Sequence, residues 1–175
     1  MNKQIILDNL RCIPDFPKKG INFRDVTTLY KNAECMKAMT DDLYELYKDK
    51  GITKIVGIES RGFVMAAALA VRLGAGVVLA RKPGKLPATV IKESFSKEYG
   101  VDTVEMHIDA INENDVVLIH DDLLATGGTA MATYKLVQHF HPKKTYINFI
   151  IEITDEGLHG RDIFEGIDLT TLVTI

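Results

Sequence analysis

The chain has 175 residues, of which 46% are hydrophobic and 26% charged, proportions of a globular protein that exclude disorder, collagen and simple repeats. Lys and Arg number 21 against 24 Asp and Glu, and the net charge of −3 argues against a chain built to coat nucleic acid or an anionic membrane. It leaves room for a local basic pocket. Roughly 70% of the extended-chain surface can be buried at this length, so one core forms without metal or disulfide staples. Two cysteines, Cys12 and Cys35, make no disulfide framework and read as thiols in a reducing compartment. The start is too soon interrupted by Asp8, Asn9 and Arg11 for a signal peptide, and no apolar stretch approaches the ~20 residues of a membrane span. The expectation is a cytoplasmic protein with neither membrane nor nucleic-acid partner.

Along the chain, the first landmark is turn-rich: Ile13-Pro14-Asp15-Phe16-Pro17-Lys18-Lys19-Gly20 holds two prolines and a glycine, which forbid a helix. Met36, Met39, Leu43, Leu46 and Tyr47 then recur at helical spacing until Gly51. Lys54-Ile55-Val56-Gly57-Ile58 reads as a buried strand leading into Glu59-Ser60-Arg61-Gly62. A second helix carries Phe63, Ala66, Ala67, Ala70 and Leu73 and stops at Gly74. Val77-Val78-Leu79-Ala80 is a strand ending in Arg81-Lys82, and Val116-Val117-Leu118-Ile119 another ending in Asp121-Asp122. Between them Val104, Met106 and Ile108 alternate with polar residues as in a half-exposed antiparallel strand, and the polar segment 92–100 reads as a hairpin tip. Met131, Tyr134, Val137 and Phe140 mark a third helix, followed by strands at 147–151 and 169–173. Apolar strands separated by helices predict an α/β protein with a mostly parallel sheet covered on both faces.

In such a sheet ligands bind beyond the carboxyl ends of the strands. Three loops there carry chemistry. The most informative is Asp121-Asp122 followed by Leu123-Leu124-Ala125-Thr126-Gly127-Gly128-Thr129, which opens a helix. Paired glycines let the backbone approach a ligand, the helix start supplies amide donors and positive potential, and the two threonines add hydroxyls. That suits a phosphate monoester. The acid pair would repel the same phosphate, so it faces ribose hydroxyls or a divalent metal. Together the pattern reads as a ribose 5-phosphate site.

These residues, from Val116 to Thr129, closely resemble the phosphoribosyl-pyrophosphate motif of the type I phosphoribosyltransferase family, and Leu-Leu-Ala-Thr-Gly-Gly-Thr is similar to the wording of its adenine-using branch. Pro14-Asp15-Phe16-Pro17 with Gly20-Ile21-Asn22-Phe23-Arg24-Asp25 resembles the family's base-binding segment, and Gly57-Ile58-Glu59-Ser60-Arg61-Gly62-Phe63 its pyrophosphate loop. Arg81-Lys82-Pro83-Gly84-Lys85-Leu86-Pro87 and Glu98-Tyr99-Gly100 look like the two ends of its flexible loop. Departures are Lys19, where proline is common, and His120 ahead of the acids.

The resemblance implies a Rossmann-like type I phosphoribosyltransferase fold in one domain over 1–175. Residues 1–30 would form an N-terminal hood, 31–175 the core and 89–100 a flexible catalytic loop. It implies transfer of phosphoribose from phosphoribosyl pyrophosphate to adenine N9, giving AMP and pyrophosphate through an oxocarbenium-like transition state. It makes Glu98, Asp121, Asp122 and Arg61 catalytic. Ala125, Thr126, Gly127, Gly128 and Thr129 would hold the 5-phosphate; Glu59, Ser60, Arg61, Gly62, Arg81, Lys82 and Lys85 the pyrophosphate; and Asn22, Phe23 and Arg24 the adenine. Mg²⁺ is the implied cofactor, held near Asp121 and Asp122 through substrate and water with no direct protein ligand. A homodimer is the implied assembly. Arg81, Lys82 and Lys85 also fit a plain solvated turn, Phe23 a core position, and Glu98 one acid among several in a charged loop.

Rival readings fail on single positions. A nucleophile elbow needs glycine where Ile58 stands. A triphosphate-binding loop needs glycine at Leu79 and Ser or Thr at Leu86. Gly74-Ala75-Gly76 runs into a strand rather than a helix, against a dinucleotide fingerprint. About two dozen residues ahead of the core are too few for a helix-turn-helix regulator. The same fold acting on xanthine or another base is the nearest competitor.

Overall fold

The computed structural model describes residues 3–96 and 100–175. The amino-terminal elements are short: α1 (Lys3–Asn9), β1 (Arg11–Ile13), β2 (Phe23–Asp25) and α2 (Thr27–Tyr30). β1 and β2 pair antiparallel with Cys12 opposite Arg24. Asp25 fastens this hairpin, accepting from the Thr27 amide at 2.9 Å and from Arg11 Nε at 3.0 Å; the Thr27 side chain and then Arg11 draw its carboxyl down to about 2.

α3 (Ala33–Tyr47) starts where the Asn32 side chain caps the Glu34 and Cys35 amides, satisfying donors that the first turn leaves open. It buries Cys35, Met39, Leu43 and Tyr47, one turn apart on one face. The helix ends four residues before Gly51, which serves the following turn at φ +67°. β3 (Lys54–Ile58) is followed by α4 (Gly62–Leu73), which Gly74 stops in the left-handed conformation. β4 (Gly76–Ala80), β5 (Val90–Ser96), β6 (Val101–His107), β7 (Val116–Leu124), α5 (Gly128–Gln138), β8 (Lys144–Glu152) and β9 (Leu169–Thr174) complete the order.

Five strands form one parallel sheet in the order β4-β3-β7-β8-β9. Its two faces carry separate cores. One gathers Leu118, Ile150 and Leu172 against α3 and α4; the other gathers Ile119, Ile147 and Phe149 against α5 and β6. Alternate residues of each strand point to opposite faces, so a strand covered on both sides reads as an unbroken apolar run. β4 departs from that expectation. It is an edge strand, and Val77 and Leu79 are exposed despite their apolar type.

β5 and β6 pair antiparallel as a separate hairpin, tied to the sheet by backbone bonds between Arg81 and Glu105. Residues 92–96 therefore belong to a strand rather than to the tip that their polarity suggests. The third helix closes at Gln138, short of Phe140. β7 is the larger revision. It runs through both aspartates to Leu124, so the acids lie in a strand rather than in the loop after it. Chain order goes from β3 outward to β4 and returns to place β7 on the other side of β3. The crevice between β3 and β7 is thus where winding reverses, the position at which open α/β sheets hold ligands.

Candidate functional site

The β3–α4 turn and the end of β7 meet in that crevice. Gly62 permits the approach: a Cβ there would sit 2.7 Å from the His120 carbonyl oxygen and 3.0 Å from Asp121 Oδ1. The preceding Glu59–Ser60 peptide is cis. Arg61 is fixed by three neighbours. Its Nε lies 2.7 Å from Asp122 Oδ2, an ion-pair distance without hydrogen-bond direction. Its guanidinium stands 5.5 Å from the Phe23 ring centroid, and its carbonyl accepts from the Tyr30 hydroxyl at 3.2 Å. Burial, then the charges of Asp122 and Asp121, push the Tyr30 phenol far up, so it stays a neutral donor.

The two aspartates differ. Asp122 is buried and neutralised by Arg61. Asp121 is half-buried, accepts from the Asp122 amide at 2.9 Å, and lines the cavity. Burial and the adjacent Asp122 charge raise its carboxyl well above the ordinary range, against a smaller opposing pull from Arg61.

After Leu124 the chain turns through Thr126 and Gly127, the latter at φ +77°. A Cβ at Gly127 would lie 2.8 Å from Phe164 and 2.9 Å from the Gly160 carbonyl, so this glycine serves both conformation and packing. α5 begins at Gly128 with no side-chain cap. Its first-turn amides have no upstream carbonyl to bond, and Gly128, Thr129 and Ala130 line the same cavity. Unpaired amides at a helix start suit an oxyanion.

That cavity, about 330 Å³, joins Asn22, Phe23 and Arg24 to Arg61, Asp121 and Asp122 and to residues 125–129. Glu59 and Lys82 line a neighbouring cavity of about 100 Å³ that shares Thr129 and is closed by Phe95 of β5. The Glu59 carboxylate accepts from Arg81 Nε at 3.1 Å and the Lys82 amide at 2.9 Å. Burial alone would raise it, but these partners hold it below its usual range. So turned, it orients Arg81 at the wall of that cavity. Arg81 also donates to the Lys85 carbonyl, while Ser60, Lys82 and Lys85 are exposed. Glu98 lies outside the described residues.

The sequence reading passed over several wall residues. Ile153 and Leu158 line the cavity from the connection after β8, itself the carboxyl end of a parallel strand, so the rule that singled out the other loops reaches them too. Phe149, read only as part of the strand at 147–151, and Leu123 of the 123–129 motif also line it. Tyr30 carried no signal: a tyrosine on a four-residue helix becomes informative only when its hydroxyl meets Arg61.

The residues could hold a hard cation only in part. Among the described residues no group of three or more His, Cys, Asp and Glu could cage a metal ion. The crevice instead offers the Asp121 carboxyl, while the Asp122 oxygen behind it is buried against Arg61, a sparse oxygen set that suits a cation filling its shell from ligand and water.

A family model described as a phosphoribosyl transferase domain matches residues 25–154. The adenine phosphoribosyltransferase of Phocaeicola vulgatus is 64% identical over 176 residues, covering 100% of both chains. Among solved structures, adenine phosphoribosyltransferase from Thermoanaerobacter pseudethanolicus matches with a TM-score of 0.92 at 42% identity over 98% of this chain and 99% of that one. The Giardia lamblia enzyme complexed with 9-deazaadenine matches with a TM-score of 0.92 at 38% identity over 100% and 98%.

Proposed function

From the premise that this chain belongs to the phosphoribosyl transferase family, we propose that it joins adenine to phosphoribosyl pyrophosphate, forming AMP and pyrophosphate in purine salvage. The observation that carries the reading is the single cavity holding the uncapped start of α5, the Asp121–Asp122 pair and the Asn22-Phe23-Arg24 segment side by side. Phosphate, ribose and base need those three surfaces in that order.

In this reading the amides of residues 126–129 hold the 5-phosphate, with Thr126 and Thr129 adding hydroxyls. Asp121 accepts from a ribose hydroxyl, and Asp122 does so while sharing Arg61. The bond from C1 to the pyrophosphate oxygen breaks as adenine N9 forms its bond to C1, and the N9 proton leaves. Positive charge grows on the ribose beside the aspartates. Negative charge grows on the leaving group beside Arg61, the 60–62 turn and the basic segment Arg81, Lys82 and Lys85. Fixed charges placed where charge develops lower the barrier without reorganisation. Glu98 on the loop is the group proposed to take up the purine proton, and closure of 89–100 excludes the water that would trap the cation. When bound, Mg²⁺ would neutralise pyrophosphate oxygens from a place beside Asp121 and Asp122.

The assembly we propose is a homodimer. Val64, Ala67, Ala68 and Val71 form an apolar stripe on the outer side of α4, with Val71 85% exposed, and Val77 and Leu79 continue it on the edge strand β4. Val71→Glu is expected to yield monomers by sedimentation analysis. We place the enzyme in the cytoplasm, where the free Cys12 and Cys35 stay reduced; among the described residues no helix is long and apolar enough to cross a membrane.

The test is a base panel. Adenine, hypoxanthine, guanine and xanthine are each incubated with phosphoribosyl pyrophosphate and Mg²⁺, and the nucleotide is identified by mass. AMP as the dominant product supports the proposal; a different dominant nucleotide overturns the base assignment.

A further inference from the structure

Arg24 is held from both sides. Nη1 donates to Cys12 Sγ of the paired strand at 2.6 Å, and Nη2 donates to Asp155 Oδ2 at 2.5 Å, from a residue 131 positions later. The Arg24 side chain is 13% exposed and its Nε is buried without an acceptor, so the guanidinium depends on these two partners. A thiol is a weak acceptor; Asp155 supplies the counter-ion.

Asp155 is itself well placed to act as an anchor. It opens the 3-10 turn Asp155–Gly157, between Ile153 and Leu158, both of which line the cavity. That turn is pinned to the sheet: the Ile153 amide donates to the Leu124 carbonyl at 2.9 Å and the Thr154 amide to the Ile175 carbonyl at 2.7 Å. The hood, by contrast, meets the cavity through a three-residue strand. The Arg24–Asp155 pair thus ties a loosely built wall to a firmly built one across the base end of the cavity.

We propose that Asp155 is a positioning residue for base recognition, fixing the Arg24 guanidinium and closing the hood against the 153–158 turn. This rests on the assignment of that end of the cavity to adenine. Asp155 touches no reacting atom. Its loss therefore weakens base capture and leaves the chemistry at saturating base, and the capture of phosphoribosyl pyrophosphate, nearly intact.

The experiment is a double-mutant cycle on the full chain with adenine, phosphoribosyl pyrophosphate and Mg²⁺. Asp155→Ala is expected to raise the KM for adenine about fivefold, the upper range for a partly exposed ion pair, with kcat and the other substrate's KM within about twofold. In an Arg24→Ala background the same substitution is expected to leave kcat/KM for adenine unchanged, a null effect that a merely structural role would not produce. Should the alanine variant fail to fold, Asp155→Asn keeps the shape of the turn and is expected to move KM the same way. An unchanged KM, or an equal rise in both backgrounds, overturns the proposal. A parent chain that makes no AMP from adenine removes the base assignment itself, and the role of Asp155 with it.

Discussion

At the end of β7 the cavity-lining groups are the first residues of α5 and two carboxylates carried by a strand buried on both faces. At the hood they are side chains on a three-residue strand, held by Arg11–Asp25, by Arg24–Asp155 and by the Phe23 ring beside Arg61. The first region is fixed by backbone geometry, so its chemistry changes only if the strand moves. The second is fixed by charges and one ring, so single side chains adjust it. The contrast matches the reaction proposed: the sugar phosphate needs fixed electrostatics, whereas base choice rests on a few replaceable contacts.

The largest effect is expected at the rigid end. Asp121→Asn should lower kcat/KM by about 100-fold or more, a size typical of removing one charge-stabilising group. Stability should move the other way. A carboxyl whose folded value is raised holds its proton to higher pH in the native state than in the unfolded one, so native stability falls as pH climbs through the interval above the unfolded value of 3.8 and the charge forms. Removing the charge should therefore raise Tm at pH 8 by about 3 °C, read by calorimetry. A fall in both activity and Tm would mean that Asp121 serves packing, and the contrast would be lost.

The same strand makes a second test through stability alone. His120 is fully buried, its Nδ1 is 2.9 Å from Asn148 Oδ1, and burial drives it to about 4 despite that bond. A histidine held neutral contributes stability that is complete above its unfolded value of 6.5 and is lost as pH falls toward 4. The loss should reach about 3 kcal/mol over that window in urea titrations. His120→Gln, which keeps a partner for Asn148, should flatten it.

Gly160 probes the back of the phosphate turn. A Cβ there would fall on the Ala125 carbonyl oxygen, and a Cβ at Gly127 would in turn meet Phe164 and the Gly160 carbonyl. Gly160→Ala should cost about 2 kcal/mol of stability, as overpacking does, and raise the KM for phosphoribosyl pyrophosphate more than that for adenine. At the hood, Phe23→Leu should raise the adenine KM by about threefold, the scale of one cation–π contact, with Tm unchanged. Equal effects of these two variants on both substrates would erase the distinction between the ends.

What the sequence disclosed follows the same division. The apolar runs of β3, β7 and β8 and the spacing on α3 and α4 are repetitive signals, and each produced the element expected. The turn at 126–129 was legible because two glycines beside two threonines serve few other purposes. Periodicity could not show that β7 continues through its aspartates, because charge normally ends a buried strand and here Arg61, arriving from another loop, neutralises Asp122. The hood had no periodicity to read. Its order comes from Asp25 and Arg11, 14 residues apart, and from Arg24 and Asp155, 131 apart, pairings that no local pattern reveals. Glu59 illustrates the remaining difficulty: a loop position names a neighbourhood, and only the observed bonds to Arg81 and Lys82 say which way the carboxylate turns.

A crystal structure of the chain with AMP bears most directly on the central claim. The account predicts the phosphate on the amides of residues 126–129, the ribose hydroxyls within hydrogen-bond distance of Asp121, and the base beside Phe23. A phosphate bound elsewhere, or an Asp121 carboxyl turned away from the ribose, would contradict it.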